Sequence, residues 1–241
     1  MDHETLRLSK YMAELGLCSR SEADRLIETG RVMVDGKVVD TLGSRVKRGQ
    51  KVTLSEEVRQ NQPDSVTLIL NKPAGIDMAG EKWLDEARPL LGKSRQSPSD
   101  QSGIYPLRRH LDQQHLPAAL AEAATGLVVL TQDKHLADRI RKDCELEYLL
   151  WVEEAVTPEQ ISKLEKTARF REVPLKGFKA SRQSEQQIRI VLRNPPALWL
   201  GELAEAAGLT LTAVKRIRIG RLALGPLESG KWRYVGSSER I

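Results

Sequence analysis

Between Leu6 and Leu54 the chain breaks itself into short elements, and those breaks restrict its architecture more than any other stretch. Leu8, Tyr11, Met12 and Leu15 recur at helical spacing, and Gly16 is placed to end that helix in a left-handed conformation. Ser19 and Glu22 then stand at capping-box spacing, which starts a second helix. Ala23, Leu26 and Ile27 form its apolar stripe, and Gly30 closes it. "VMV" and "KVV" flank Asp35-Gly36, the dipeptide whose backbone suits the tight turn of a hairpin. "KRGQKVTL" reads as a further strand entered through a turn at Gly49. Two short helices with a few strands make a small αββ-type unit.

A polar stretch, Ser55 to Val66, follows and reads as a linker, so domains are expected over 1–60 and 61–241. Beyond it short strands and helices alternate. "TLILNKPAGID", "GLVVLTQD", "LEYLLWVEEAV", "QQIRIVL" and "AVKRIRIGRLAL" read as strands. "KHLADRIRK", "TPEQISKLEKTA" and "LGELAEAAGL" read as helices, the second capped by Thr157 with Pro158 at its first position and Gln160 closing the box. The expected class is α+β, a mainly antiparallel mixed sheet flanked by helices. Arg216 and Arg218 alternate with Ile217 and Ile219, as on a strand with one solvated face.

The chain's 241 residues allow one large domain, or one domain with a small module. Lys plus Arg exceeds Asp plus Glu by 38 to 33, which permits a polyanionic partner without demanding one. Arg7, Lys10, Arg20, Arg25 and Arg31 cluster near the ends of the first two helices, yet Glu14, Glu22, Asp24 and Glu28 interleave them, so the pattern also fits a solvated charged surface. Two distant cysteines, Cys18 and Cys144, make neither a disulfide framework nor a zinc site. No apolar run approaches 18 residues and the first ten residues lack an apolar signal core, so a cytoplasmic protein off the membrane is expected. His110, Asp112 and His115 are ligand types with nothing else clustered beside them, and no metal is expected.

The segment "LRLSKYMAELGLCSRSEADRLIETGRVMVDGK" resembles an S4 (alpha-L-type) RNA-binding domain. The resemblance implies that Arg7, Lys10, Ser19, Arg20, Arg25 and Arg31 meet structured RNA, through phosphate contacts that give affinity and register. The remainder resembles the catalytic domain of bacterial rRNA pseudouridine synthases that carry such an N-terminal module. The matching blocks are "LILNKPAGI", "YP" at 105–106, "TGLVVLTQD", "LEYLLWVE", "IRIVLR", "AAGLTLTAVKRIRIG" and "GPLESGKWR". That family isomerises uridine in RNA to pseudouridine with one aspartate and neither cofactor nor metal. A carboxylate can attack as a nucleophile or stabilise charge on the sugar. The target base must first be flipped from its stack.

Tyr148 matches the family's active-site tyrosine, which offers a stacking face to the base. A tyrosine packed in a strand core is its other reading. Lys72 matches in "LNKP", for structure or backbone contact, and Arg109, His110, Arg216 and Arg218 are further RNA-facing candidates. The aspartate departs from the pattern. The upstream anchor "YPLRRHLD" points to Asp112, whereas counting back from Gly126 lands on Ala121. Either Asp112 keeps the role with "QQHLPAALAE" inserted behind it, or the carboxylate is gone; Glu122 is a third candidate. The arginine expected to face the acid falls near Gly201 or Glu202, with Arg193, Arg216 or Arg218 as substitutes. The implied function is isomerisation of uridine in structured rRNA by a monomer. The rivals are an inactive homologue that serves ribosome assembly by binding, and a general RNA chaperone.

Overall fold

The structure, a computed structural model, describes residues 5–56, 58, 63, 65–166, 169–170, 173–193 and 199–241. Much of the linker expected at 55–66, the last two residues of "TPEQISKLEKTA" and the Pro-Pro stretch at 194–198 lie outside the described residues. Two compact units result. One takes the chain up to Val66 together with Gly103–Gln114, and the other takes Thr67–Ser102 and His115–Ile241.

The first unit opens with β1 (Thr5–Arg7), which pairs antiparallel with β4 (Arg45–Lys47). Helices α1 (Leu8–Glu14) and α2 (Arg20–Glu28) pack on each other. The capping box of α2 is present: Ser19 accepts from the Glu22 N–H and Glu22 from the Ser19 N–H. Gly16 adopts φ +70°, as the end of α1 requires. Strands β2 (Val32–Val34), β3 (Lys37–Val39) and β5 (Val52–Leu54) form a sheet of order β3-β2-β5. Positive φ at both Asp35 and Gly36 marks the hairpin turn as type I′. Leu8, Met12, Ala23, Leu26 and Val32 are fully buried at its centre, joined by Val58 and, from far downstream, Leu107. Val58 and Val66, in the polar stretch, are both buried.

The second unit is built on one large sheet. Its strands are β6 (Thr67–Lys72), β7 (Thr125–Thr131), β8 (Glu145–Val152), β11 (Lys176–Ser184), β12 (Gln187–Arg193), β13 (Leu211–Ile219), β14 (Leu222–Ala223) and β15 (Trp232–Tyr234). The order is β11-β12-β8-β13-β7-β6-β15, with β14 on β13. Among the described strands of this sheet only β13 and β7 pair in parallel. A short ribbon, β9 (Arg169–Phe170) with β10 (Val173–Pro174), stands apart from it. Leu68, Ile69 and Leu70 of β6 and Leu127 to Leu130 of β7 are buried without alternation, the signature of strands covered on both faces. The outer strand β11 instead exposes Lys176, Lys179 and Arg182, charges that keep an open edge from pairing further.

Helices α3 (Trp83–Ala87), α4 (Lys134–Asp143), α5 (Pro158–Lys166) and α6 (Trp199–Ala206) complete the unit. Asp133 caps α4 by accepting from the His135 and Leu136 N–H groups. Thr157 and Gln160 cap α5 reciprocally, as their spacing predicts. Among the described residues no helix is long and apolar enough to cross a membrane.

Candidate functional site

One row of side chains organises the second unit. Strand register sets Lys72 of β6 opposite Gly126 of β7, Gly126 opposite Arg216 of β13, and Arg216 opposite Tyr148 of β8. Residues paired across a sheet point to one face, so Lys72, Arg216 and Tyr148 project together. Gly126 is required between them. Its φ is +103°, and a Cβ there would lie 2.2 Å from the Arg216 carbonyl oxygen.

Above this row runs the segment 116–124, and it is held through its backbone. The Arg216 guanidinium, fully buried, donates to the carbonyls of Ala118 (3.0 Å), Ala119 (2.9 Å) and Leu127 (2.7 Å), and to the Tyr148 hydroxyl (3.4 Å). Lys72 donates to the carbonyls of Glu122 (3.0 Å) and Pro73 (2.8 Å). The N–H groups of Met78 and Gly75 reach the Leu120 and Glu122 carbonyls. Burial pushes the Lys72 ammonium down to about 8, against the pull of Asp77 and Glu122, and Arg216 adds to the depression.

Between this wall, Tyr148, and helix α6 lies a cavity of about 600 Å³, within the range of small-molecule sites. Its wall is Leu116 to Ala121 with Ala123 and Ala124, its floor includes Leu146 and Tyr148, and Trp199, Leu200 and Gly201 come from α6. The Trp199 ring meets Tyr148 edge-on, with centroids 5.9 Å apart. Such a slot suits a planar, largely apolar-faced group that stacks. Among the described lining residues none is acidic, and Arg141 carries the one charge.

The sequence candidates separate accordingly. Tyr148 is buried and lines the cavity. Ala121 lines it too, and so does Gly201, where an arginine would be expected. Asp112 is exposed, ends the short 3-10 turn Arg108–Leu111, and belongs to the first unit; neither it nor Glu122 is in the lining. Three residues read as RNA-facing prove buried: Lys72, Arg216 and His110. Their positions correct that reading, because a cation facing the interior cannot meet a phosphate. Burial, helped by Arg109, pushes His110 down to about 4, so it is neutral at pH 7. Arg109 itself is exposed. Arg218 is spent on Glu147, which also accepts from Arg189 and is held below the usual carboxylate range chiefly by Arg189. Arg193 lies 3.7 Å from Glu145.

In the first unit Arg7, Lys10 and Arg20 border one polar hollow, with Asp24 and Arg45. Arg45 was not foreseen. It reaches the hollow because β4 pairs with β1, placing it opposite Arg7, and its guanidinium donates to the Thr5 carbonyl. Arg25 is exposed and Arg31 half-buried, both outside this hollow, and Ser19 is engaged in capping. Trp199 was likewise missed, since its role depends on how α6 lies over β8. Its one signal is an aromatic residue just after a Pro-Pro pair.

Comparison with known proteins places both units. Residues 6–52 match the S4 domain family. The dual-specificity RNA pseudouridine synthase RluF of Salmonella typhi is 30% identical over 241 residues, 98% of this chain and 77% of the relative. An uncharacterized RNA pseudouridine synthase of Aquifex aeolicus is 30% identical, with 97% of this chain and 94% of that one covered. A crystal structure of a pseudouridylate synthase superposes with a TM-score of 0.60 at 21% identity, over 97% of each chain.

Proposed function

This chain belongs to the RNA pseudouridine synthase family, and from that premise we propose that it docks on structured rRNA and takes a flipped uridine into the cavity over Tyr148. The observation that carries the proposal is the apolar slot floored by Tyr148, set in one sheet row with Arg216. A base pulled from its stack loses a few kcal/mol, roughly, and recovers part of it on an aromatic face. Residues 1–60 supply affinity, with Arg7, Lys10, Arg20, Arg25 and Arg31 on phosphates, Ser19 supporting α2 and Arg109 adding charge. Residues 61–241 hold the nucleoside. The reaction is isomerisation to pseudouridine, in the cytoplasm, by a monomer that uses neither metal nor cofactor; Asp112, outside the cavity lining, is the acid that the Tyr105-Pro106 anchor assigns to it.

The alternative is a catalytically inactive RNA-binding homologue acting in ribosome assembly, with Ala121 standing where the family's spacing from Gly126 puts the acid. In that reading the protein captures the nucleoside and leaves its glycosidic bond intact. Tritium release from rRNA carrying 5-tritiated uridine separates the two. Release by the wild type, abolished in Asp112→Asn, supports the isomerase. No release while rRNA is still bound, and bound less tightly by Arg20→Gln, leaves the binder. Absence of rRNA binding would sink both.

A further inference from the structure

The hydroxyl of Tyr148 has a defined polarity. A guanidinium carries five N–H donors and no acceptor. Arg216 directs one Nη1 proton to the Ala119 carbonyl and the other to the Tyr148 oxygen, 2.9 and 3.4 Å away. Tyr148 must therefore accept in that contact, and its own proton is left for another partner. Among the described residues no atom takes that proton, and the ring lines the cavity. The fork that sets this polarity also grips the wall: Nη2 donates to the Ala118 carbonyl and Nε to the Leu127 carbonyl. Full burial gives the guanidinium no water with which to exchange these partners.

We infer that Arg216 is a positioning residue that holds Tyr148 as a hydrogen-bond donor, so the cavity selects an occupant presenting an acceptor, a carbonyl oxygen of the base. The inference rests on the base-capture reading above. It adds the part of the base that is recognised and the residue that sets the recognition. Apart from Thr212 and Arg141, whose guanidinium is paired with Asp138, the lining side chains supply stacking and shape, which are nearly blind to base identity, so the Tyr148 donor carries the discrimination. A buried donor left without its acceptor is costly, and an occupant lacking a strong acceptor is rejected accordingly.

Protein labelled with carbon-13 at tyrosine Cζ is titrated with uridine and with the two analogues that replace one or other carbonyl oxygen by sulfur, a weak acceptor. The Tyr148 resonance is assigned by its absence from Tyr148→Phe. In the wild type, uridine shifts that resonance, and one of the two analogues binds about fivefold or more weakly. In Tyr148→Phe, followed by nucleoside relaxation, the discrimination disappears. It disappears also in Arg216→Gln, whose carbonyl can accept the tyrosine proton. Both analogues binding the wild type as uridine does, or discrimination surviving in Tyr148→Phe, overturns the inference. Discrimination intact in a folded Arg216 variant overturns the role of Arg216. If uridine leaves Tyr148 unmoved at millimolar concentration while rRNA fragments still bind, base capture itself fails and the inference goes with it.

Discussion

Gly126 shows how tightly single residues are constrained around the cavity. A methyl group there would meet three backbone atoms of Arg216 at 2.2 to 3.0 Å, and a central strand cannot yield by that much. Gly126→Ala is expected to cost more than about 4 kcal/mol in urea unfolding, or to abolish soluble protein. A cost below about 1 kcal/mol would contradict the register of β7 on β13. Lys72 makes a second prediction. Its folded value of about 8 lies below the usual 10.5, so between those pH values the unfolded chain binds more protons than the folded one. Stability contributed at this position therefore rises with pH across that window. The unfolding free energy of wild type minus Lys72→Met should grow from pH 8 to 10.5; a flat difference would show that its charge is not coupled to folding. At this scale Tyr148 was legible in the sequence, because its neighbours match a pattern. Arg216 was not. Alternation with Ile217 and Ile219 suggests a solvated face, but a register shift between Arg216 and Arg218 breaks that alternation. The carbonyls that make its burial tolerable lie 89 to 98 positions upstream, beyond the reach of local periodicity.

Among the elements, the longer helices announced themselves, whereas the five-residue α3 and the shortest strands did not. The box on α2, Gly16 behind α1 and the Asp35-Gly36 turn are local chemistry, readable in a few consecutive residues. Strands β1 and β4 have three residues each, too few to display a period, and they exist because each supplies the other with ladder partners. That pairing matters for binding, since it brings Arg45 to the hollow where Arg7, Lys10 and Arg20 stand. Arg20, exposed in the first turn of α2, is expected to contact phosphate. Arg20→Gln should weaken binding to rRNA fragments of different sequence by a similar factor. It should also reduce the slope of log affinity against log salt by about 1. An unchanged slope would remove Arg20 from the interface. Arg45→Gln, which leaves both helices untouched, should behave in the same way if the hollow acts as one surface.

In the whole molecule, the alternation of elements made the α+β class legible. The path of the chain between the units was not. Gly103–Gln114 leaves the second unit's sequence and joins the first, where Leu107 is buried among Leu8, Met12, Leu26 and their neighbours. Nothing in "GIYPLRRHLDQQ" marks that destination, because scattered apolar residues such as Leu107 and Leu111 read the same in any loop. A fragment of residues 67–241 should therefore expose Leu107 and half-buried Tyr105 and lose solubility. Leu107→Ser should restore part of the soluble yield in the fragment while destabilising the intact chain. Equal solubility of fragment and full chain would argue against that packing. The same excursion imposes a timetable on biosynthesis. At roughly 5–20 residues per second, an emerging chain waits some seconds between the appearance of Val66 and that of Leu107. Until then the first unit, although N-terminal, lacks a piece of its own interior.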